Sequence, residues 1–210
     1  MEEFDELKDI CDVLHGPDGC PWDKKQTFQS LRPHLLEETH ELLEAVDEDD
    51  TDKMVEELGD VLFEIIFYAK LGEKSGRFTI QDVIKTVSEK LIRRHPHVFG
   101  DLAVDDADEV VHHWERIKKL EKKERKHALE GIPKTLGALA RAQKVVSKMM
   151  HKSVPFPKVE DHDSLEEAMG DQFLDLIVQA CQEKVDAESA VRKALKKFEQ
   201  TYIAQEEKNF

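Results

Sequence analysis

Two groups of acidic residues stand close together in the first third of the chain, Glu37-Glu38-x-x-Glu41 and then Glu57-x-x-Asp60. At about 100° of rotation per helical residue, each group falls on one arc of a helix and borders an apolar stripe. An antiparallel pair of helices would bring the two arcs together. Converging carboxylates repel one another and raise one another's pKa unless a cation neutralises them.

A hard divalent cation is the natural occupant of such a site. Mg²⁺ binds carboxylate oxygens and keeps positions for water and substrate phosphates, and Mn²⁺ accepts the same ligands. The sequence therefore predicts a Mg²⁺ site, with Mn²⁺ possible, whose ligands are Glu38, Glu41, Glu57 and Asp60. The alternative is a pair of solvated acidic helix faces. Such faces would have no reason to border an apolar stripe that includes Leu58 and Leu62.

Other side chains have the type and spacing to contact a phosphorylated substrate; they are Lys53, Lys90, Arg94, Trp114 and Lys118. Lys53 stands one helical turn before the second acidic group. Lys90 and Arg94 are i, i+4 neighbours and form a cationic pair on one helix face. Trp114 and Lys118 repeat that spacing, which suits stacking on a base and binding a phosphate. The alternatives are surface solubility for the cations and core packing for the tryptophan.

These motifs resemble those of a known family. The two acidic groups are similar to the EExxE and ExxD motif pair of the MazG family of nucleoside triphosphate pyrophosphohydrolases, which is all-α and Mg²⁺-dependent. The stretches Cys20-Pro21-Trp22-Asp23, Arg93 to Phe99 and Trp114-Glu115-x-Ile117-Lys118 are also similar to that family. The resemblance covers residues 7–145 well and the remainder more weakly.

The resemblance implies hydrolysis of a nucleoside triphosphate to the monophosphate and pyrophosphate. It implies that the four ligand candidates hold one or two Mg²⁺ ions and that Glu37 orients or deprotonates the attacking water. Lys53, Lys90 and Arg94 would then neutralise phosphates, while Trp114 and Lys118 would contact base and phosphate. The family assembles its sites within dimers, so a homodimer is expected. We expect a permissive house-cleaning activity on several ribo- and deoxyribonucleotides.

Composition narrows the classes of partner. The net charge is -15, from 31 basic and 46 acidic residues, which argues against a general nucleic-acid or anionic-membrane surface. The acidic N-terminus predicts no secretory signal, and the most apolar run, 61–71, is broken by Glu64 and Lys70, so no membrane span is expected. The three cysteines are widely spaced and fit reduced thiols in a cytoplasm.

The periodicity of apolar residues predicts helices along the chain, and the resemblance implies an all-α fold of the MazG helical-bundle type. Helices are expected at about 2–15, 30–46, 51–74, 80–95, 106–128, 134–151, 165–183 and 186–207. Asp50 or Thr51 is the predicted N-cap of the second motif helix, and Thr79-x-x-Asp82 resembles a capping box. Residues 152–163 contain two prolines and are predicted to form a loop.

An internal repeat indicates two modules. The stretch 59–66 resembles 170–177, and 83–91 resembles 190–198. The second copy has Ala168 where the first has Glu57, and no EExxE group precedes it. We therefore expect an intact module at 1–128 and a truncated, degenerate helical module at 129–210 that serves packing or dimerisation without binding Mg²⁺.

Two rival interpretations stay open at this point. Glu37-x-x-His40 and Glu109-x-x-His112 have the Glu-x-x-His spacing of di-iron carboxylate bundles, although His40 points away from the acidic arc. A non-catalytic nucleotide-binding regulator or a helical scaffold would also carry these residues. Iron in the purified protein would indicate the first rival, and loss of turnover in acid-to-amide variants would exclude the second.

Overall fold

The computed structural model describes residues 2–150 and 164–208, and within those ranges it consists of helices and connecting turns without strands. The helices are α1 (Glu2–Leu14), α2 (Arg32–Glu48), α3 (Thr51–Lys74), α4 (Ile80–Arg94), α5 (Pro96–Phe99), α6 (Ala107–Glu121), α7 (Ala138–Met150), α8 (Leu165–Gln182) and α9 (Ala187–Glu207). One 3₁₀ turn, Asp23–Lys25, lies between α1 and α2. The prediction of an all-α fold is confirmed.

The helices fall into two compact units, Met1–Leu120 and Glu121–Phe210. In the first unit α2 and α3 form a closely packed hairpin, and α1 and α4 also pack against α3. In the second unit α7 packs against both α8 and α9. That the second unit descends from a degenerate copy of the first stays a prediction.

The turn between α2 and α3 is closed by two aspartates. Asp49 caps the end of α2 in the left-handed region, with φ of 57°, where Asp is among the more tolerated residues. The Asp50 carboxylate then accepts a hydrogen bond of 3.1 Å from the backbone N–H of Lys53 and begins α3. The predicted N-cap is confirmed, as is the Thr79–Asp82 capping box of α4.

The core of the first unit lies around the second half of α3. Phe67 is 1% exposed, and Leu31 and Cys11 are likewise fully buried. Gly72 allows Phe78 to lie directly against α3, because a Cβ at that position would stand 2.6 Å from the phenyl ring. Close packing of this kind fixes α3 relative to the helices around it.

The first half of α3 is less buried than the sequence pattern suggests. Leu58 and Leu62, members of the predicted apolar stripe, keep 55% and 37% of their surface exposed. Ile65 keeps 41%. The register of α3 turns the buried side toward Ile66, Phe67 and Ala69, so the stripe near the acidic residues is left open to solvent within this chain.

Two predicted helix bounds are wrong. Helix α6 ends at Glu121 and not near 128, and the backbone turns with a 3.1 Å bond from Arg125 N–H to the Lys122 carbonyl. The charged run 122–126 has no apolar side chain to pack, which removes the main stabilisation of a helix there. Helix α7 begins at Ala138, after Gly137, and not near 134.

The loop predicted at 152–163 lies outside the described residues. Among the helices that are described, none is both long enough and apolar enough to cross a membrane.

Candidate metal centre

The α2–α3 hairpin brings three of the predicted ligands together. Glu38, Glu41 and Glu57 each offer one carboxylate oxygen, and these oxygens lie within 4.8 Å of one another. In the described parts of the chain, this is the one group of three or more His, Cys, Asp or Glu side chains so arranged. We call it the acidic triad. Glu38 and Glu41 come from α2 and Glu57 comes from α3, so the triad depends on the packing of the two helices.

The charges of the acidic triad are mutually unfavourable. Burial raises the pKa of Glu38 above the ordinary glutamate value, and the carboxylates of Asp60 and Glu41 raise it further. The pKa of Glu57 is also raised, by partial desolvation and then by the charge of Glu41. These shifts have the sign expected where partly desolvated negative charges gather.

The other two acidic candidates flank the triad. Asp60 lies outside the set of oxygens within 4.8 Å, but its negative charge raises the pKa of both Glu38 and Glu57. Glu37 is exposed, and its Oε2 atom lies 3.9 Å from Nδ1 of His34. Both side chains are therefore at the border of the site, on the faces that the helical spacing predicted.

Two of the predicted substrate-binding cations have neighbouring acids as partners. The Lys53 ammonium donates to Glu48 at 3.1 Å, at the α2–α3 turn. The Lys118 ammonium donates to Glu115 at 2.6 Å. Lys90 is half-buried on α4, in a helix that packs against α3. The structure does not bring Lys53 or Lys118 into contact with the triad, and a role for any of these cations toward substrate stays a prediction.

Trp114 is held at the junction of α4 and α6. Its ring meets the edge of His95 with centroids 5.2 Å apart, and the indole Nε1 is buried without a hydrogen-bond partner in the described residues. His95 is fixed in turn, because its Nδ1 lies 2.7 Å from the carbonyl oxygen of Leu91. His95, which lies between Arg94 and Pro96, was not among the predicted site residues.

Glu64 is the main residue that the site prediction omitted. It is 7% exposed and stands one turn after Asp60 and two turns after Glu57 on α3, on the same helix face. Its Oε2 atom is buried with no hydrogen-bond partner in the described residues. The signal that could have found it is a charged residue that interrupts the most apolar run of the chain on the acidic face.

Comparison with known proteins places this geometry in a family. A domain described as the MazG nucleotide pyrophosphohydrolase domain matches residues 26–99, which include the whole acidic triad. The nucleoside triphosphate pyrophosphohydrolase/pyrophosphatase MazG of Thermotoga maritima is 40% identical over 97% of this chain and 86% of that protein. The chain belongs to the MazG family.

Two other relatives and one crystal structure match this chain over different lengths. The nucleoside triphosphate pyrophosphohydrolase of Escherichia coli K12 is 38% identical over 96% of this chain and 86% of that protein. The protein YabN of Bacillus subtilis is 55% identical over 68% of this chain, which is 29% of its own length. The crystal structure of a MazG-related protein from Thermotoga maritima covers 57% of this chain and 99% of that one, with 28% identity and a TM-score of 0.47.

The ligand atoms of the acidic triad suit a hard divalent cation. All of its candidate ligand atoms are carboxylate oxygens, which Mg²⁺ and Mn²⁺ prefer over nitrogen or sulfur. Oε2 of Glu64, buried without a hydrogen-bond partner in the described residues, belongs to the same line of acids on α3. The residues present therefore fit a divalent cation.

The geometry does not support a di-iron centre. His40 is exposed and lies outside the acidic triad. The Glu109 carboxylate accepts a hydrogen bond of 2.9 Å from the backbone N–H of Asp105 and lies 3.7 Å from Nε2 of His113. Its contacts are therefore local to the start of α6. No second carboxylate–histidine group meets the triad within the described residues.

The raised pKa of Glu38 gives a testable stability effect. The folded state holds the Glu38 proton more tightly than the unfolded state does. As the pH rises above the ordinary pKa of 4.5 and through the raised pKa, ionised Glu38 therefore lowers the free energy of unfolding. In EDTA at pH 7, Glu38→Gln is expected to melt a few degrees above the wild type. The difference should shrink as the pH falls toward 4.5. Circular dichroism melts across that range measure both.

The matched control is Glu6→Gln, which removes an exposed carboxylate from α1 and should leave the melting temperature unchanged. A stabilisation of Glu38→Gln that was the same at every pH would contradict the electrostatic explanation.

Proposed function

We propose that this MazG protein is a divalent-metal-dependent nucleoside triphosphate pyrophosphohydrolase that releases the nucleoside monophosphate and pyrophosphate, with Mg²⁺ as its ion and Mn²⁺ as a substitute. The observation that carries the proposal is the convergence of Glu38, Glu41 and Glu57 on the α2–α3 hairpin, inside the residues that match the MazG domain. Relatives that align with nearly the whole chain are named for this activity.

In this proposal the acidic triad holds the metal, with Asp60 as the fourth carboxylate. A triphosphate is repelled by a site that carries only negative charge, so the chain needs a cation before it can bind its substrate. When bound, the ion supplies neutralisation of phosphate oxygens and Lewis-acid activation. The four carboxylates set where that charge stands relative to the two helices.

The chain's own residues position water and phosphate around that charge. Glu37, whose charge acts on Glu38, orients the water that attacks the α-phosphorus or accepts its proton in this proposal. Lys90 and Arg94 bind the β- and γ-phosphates. Lys53 contributes as well once its ammonium exchanges the Glu48 carboxylate for a phosphate oxygen.

Base recognition falls to Trp114 and Lys118 in this proposal. Stacking on an indole face tolerates any base because every base has a π-face. Few amide side chains stand near the motifs to read a base edge. Both points support a permissive house-cleaning role on several ribo- and deoxyribonucleotides. The three cysteines are free thiols, which supports a reducing cytoplasm as the place of action.

The reaction predicts a specific set of products. The purified protein with each common nucleoside triphosphate and Mg²⁺ should yield monophosphate and pyrophosphate, and EDTA should abolish the reaction. In ¹⁸O-labelled water the label should enter the monophosphate, because water attacks the α-phosphorus. Anion-exchange chromatography and mass spectrometry measure both. Glu41→Gln and Glu57→Gln should lower kcat by about 10²–10³-fold, a loss typical of removing electrostatic stabilisation.

Glu44→Gln is the matched control, because it removes an exposed carboxylate of α2 outside the triad. Diphosphate and orthophosphate as products would refute the position of cleavage. Nucleotide binding without any product would indicate the regulator instead.

The α4 cations predict a separate effect on substrate affinity. Lys90→Ala is expected to raise KM for the triphosphate about tenfold, since one charge-assisted hydrogen bond to phosphate is lost. Lys85→Ala, an exposed lysine on the same helix that lies 4.0 Å from Glu89, should change KM less than twofold. Steady-state kinetics at saturating Mg²⁺ distinguishes them, and equal effects of the two substitutions would exclude a specific phosphate contact.

The second unit is proposed to be the degenerate module, residues 129–210, and to mediate a homodimer. Its helix α9 exposes large apolar side chains at helical spacing. They are Val191, Leu195, Phe198 and Tyr202, with 50%, 51%, 71% and 59% of their surface exposed. Contiguous exposed apolar side chains on one helix face can mark a protein–protein interaction site, and a second copy of the same stripe is a self-complementary partner.

The dimer proposal is tested by sedimentation velocity of the full chain. The wild type should sediment as a dimer and Phe198→Asp as a monomer, because the new carboxylate would be buried without a partner. Lys193→Asp changes charge on the same helix away from the stripe and should remain dimeric. A dimer that persists in Phe198→Asp would show that α9 is not the interface.

A further inference from the structure

Glu64 is a buried carboxylate of the first unit with one oxygen that lacks a hydrogen-bond donor in the described residues. Its surface is 7% exposed, and Oε2 meets no hydrogen-bond donor in the described residues. A buried carboxylate is stable only when charge and hydrogen bonds around it replace the water it has lost. A carboxylate without such partners destabilises the fold that contains it.

One cation-forming side chain acts on Glu64, and no hydrogen-bond donor in the described residues reaches its Oε2. The hydroxyl of Tyr68, one turn further along α3, donates a hydrogen bond of 3.3 Å to the carbonyl of Phe28 and not to Glu64. His34 is the one cation-forming side chain that acts on Glu64, but its Nδ1 stands beside Glu37 at the site border. The remaining charge that acts on Glu64 is the Glu38 carboxylate, which has the same sign.

Glu64 continues the line of acids on α3 into the buried part of the helix. It extends the line of acids along α3 from Glu57 through Asp60 toward the core, at spacings of three and four residues. It also interacts electrostatically with Glu38, the most desolvated member of the triad. The acidic group therefore has an inner, buried end as well as an exposed end.

We propose that Glu64 is a further carboxylate of the metal centre, whose missing positive partner is the divalent cation held next to Glu38. The proposal rests on the metal centre of the proposed function. It gives Glu64 two opposite effects: without metal its buried charge destabilises the protein, and with metal the same charge strengthens ion binding. A carboxylate with a purely structural role would stabilise the metal-free protein.

The test uses the full chain and Mn²⁺ alone as the probe. Free Mn²⁺ is counted by electron paramagnetic resonance in titrations of the wild type, Glu64→Gln and the control Glu56→Gln, which removes an exposed charge from the same helix. Glu64→Gln is expected to bind Mn²⁺ at least tenfold more weakly, and Glu56→Gln within twofold of the wild type. In EDTA, Glu64→Gln should melt at a higher temperature than the wild type. Added Mn²⁺ should raise the melting temperature of Glu64→Gln by less than it raises that of the wild type.

Each outcome decides the proposal. Wild-type Mn²⁺ affinity in Glu64→Gln would overturn it and leave the triad intact as a metal site, whereas no Mn²⁺ binding by the wild type would overturn the metal centre itself. If Glu64→Gln does not fold, Glu64→Met removes the carboxylate with an apolar side chain of similar volume. Failure of both variants to fold in EDTA would also overturn the proposal, because Glu64 would then stabilise the metal-free protein.

Discussion

Repulsion between carboxylates is the constraint on which this structure depends, and the packing of α2 against α3 overcomes it. Glu38, Glu41 and Glu57 are held with carboxylate oxygens within 4.8 Å of one another. The apolar contacts deeper in the unit, around Phe67 and Leu31, hold the helices in place against this repulsion. A cation bound between these carboxylates would relieve that repulsion, so the relief would contribute to the free energy of binding.

The two halves of α3 differ in burial and in the residues that they carry. The second half carries the buried core, where Gly72 and Phe78 are in close contact. The first half carries the acids and an apolar stripe that remains exposed, including Leu58 at 55%. Glu64 lies at the boundary between the halves. A rigid half that positions a polar half is a favourable arrangement for catalysis, because the core sets the orientation of the ligands without contacting the substrate.

The second unit has a small buried core of its own. Its buried core consists of Val146, Ile177 and Ala187, and a polar side chain reinforces it. The Gln143 amide donates to the Val185 carbonyl at 2.7 Å and accepts from the Ala187 N–H at 2.8 Å, which fixes the turn between α8 and α9. Within the described residues this unit holds no cluster of candidate metal ligands.

The sequence by itself determined the features that follow local rules. Asp50 and Thr79 begin helices because their side chains accept the first backbone N–H groups, and a rotation of 100° per residue places the acids on facing arcs. The tertiary structure alone decided the burial of Glu64, the exposure of Leu58 and the pairing of Lys53 with Glu48. The physical reason is that burial and partner choice depend on helices distant in sequence, whose register against α3 no local pattern specifies.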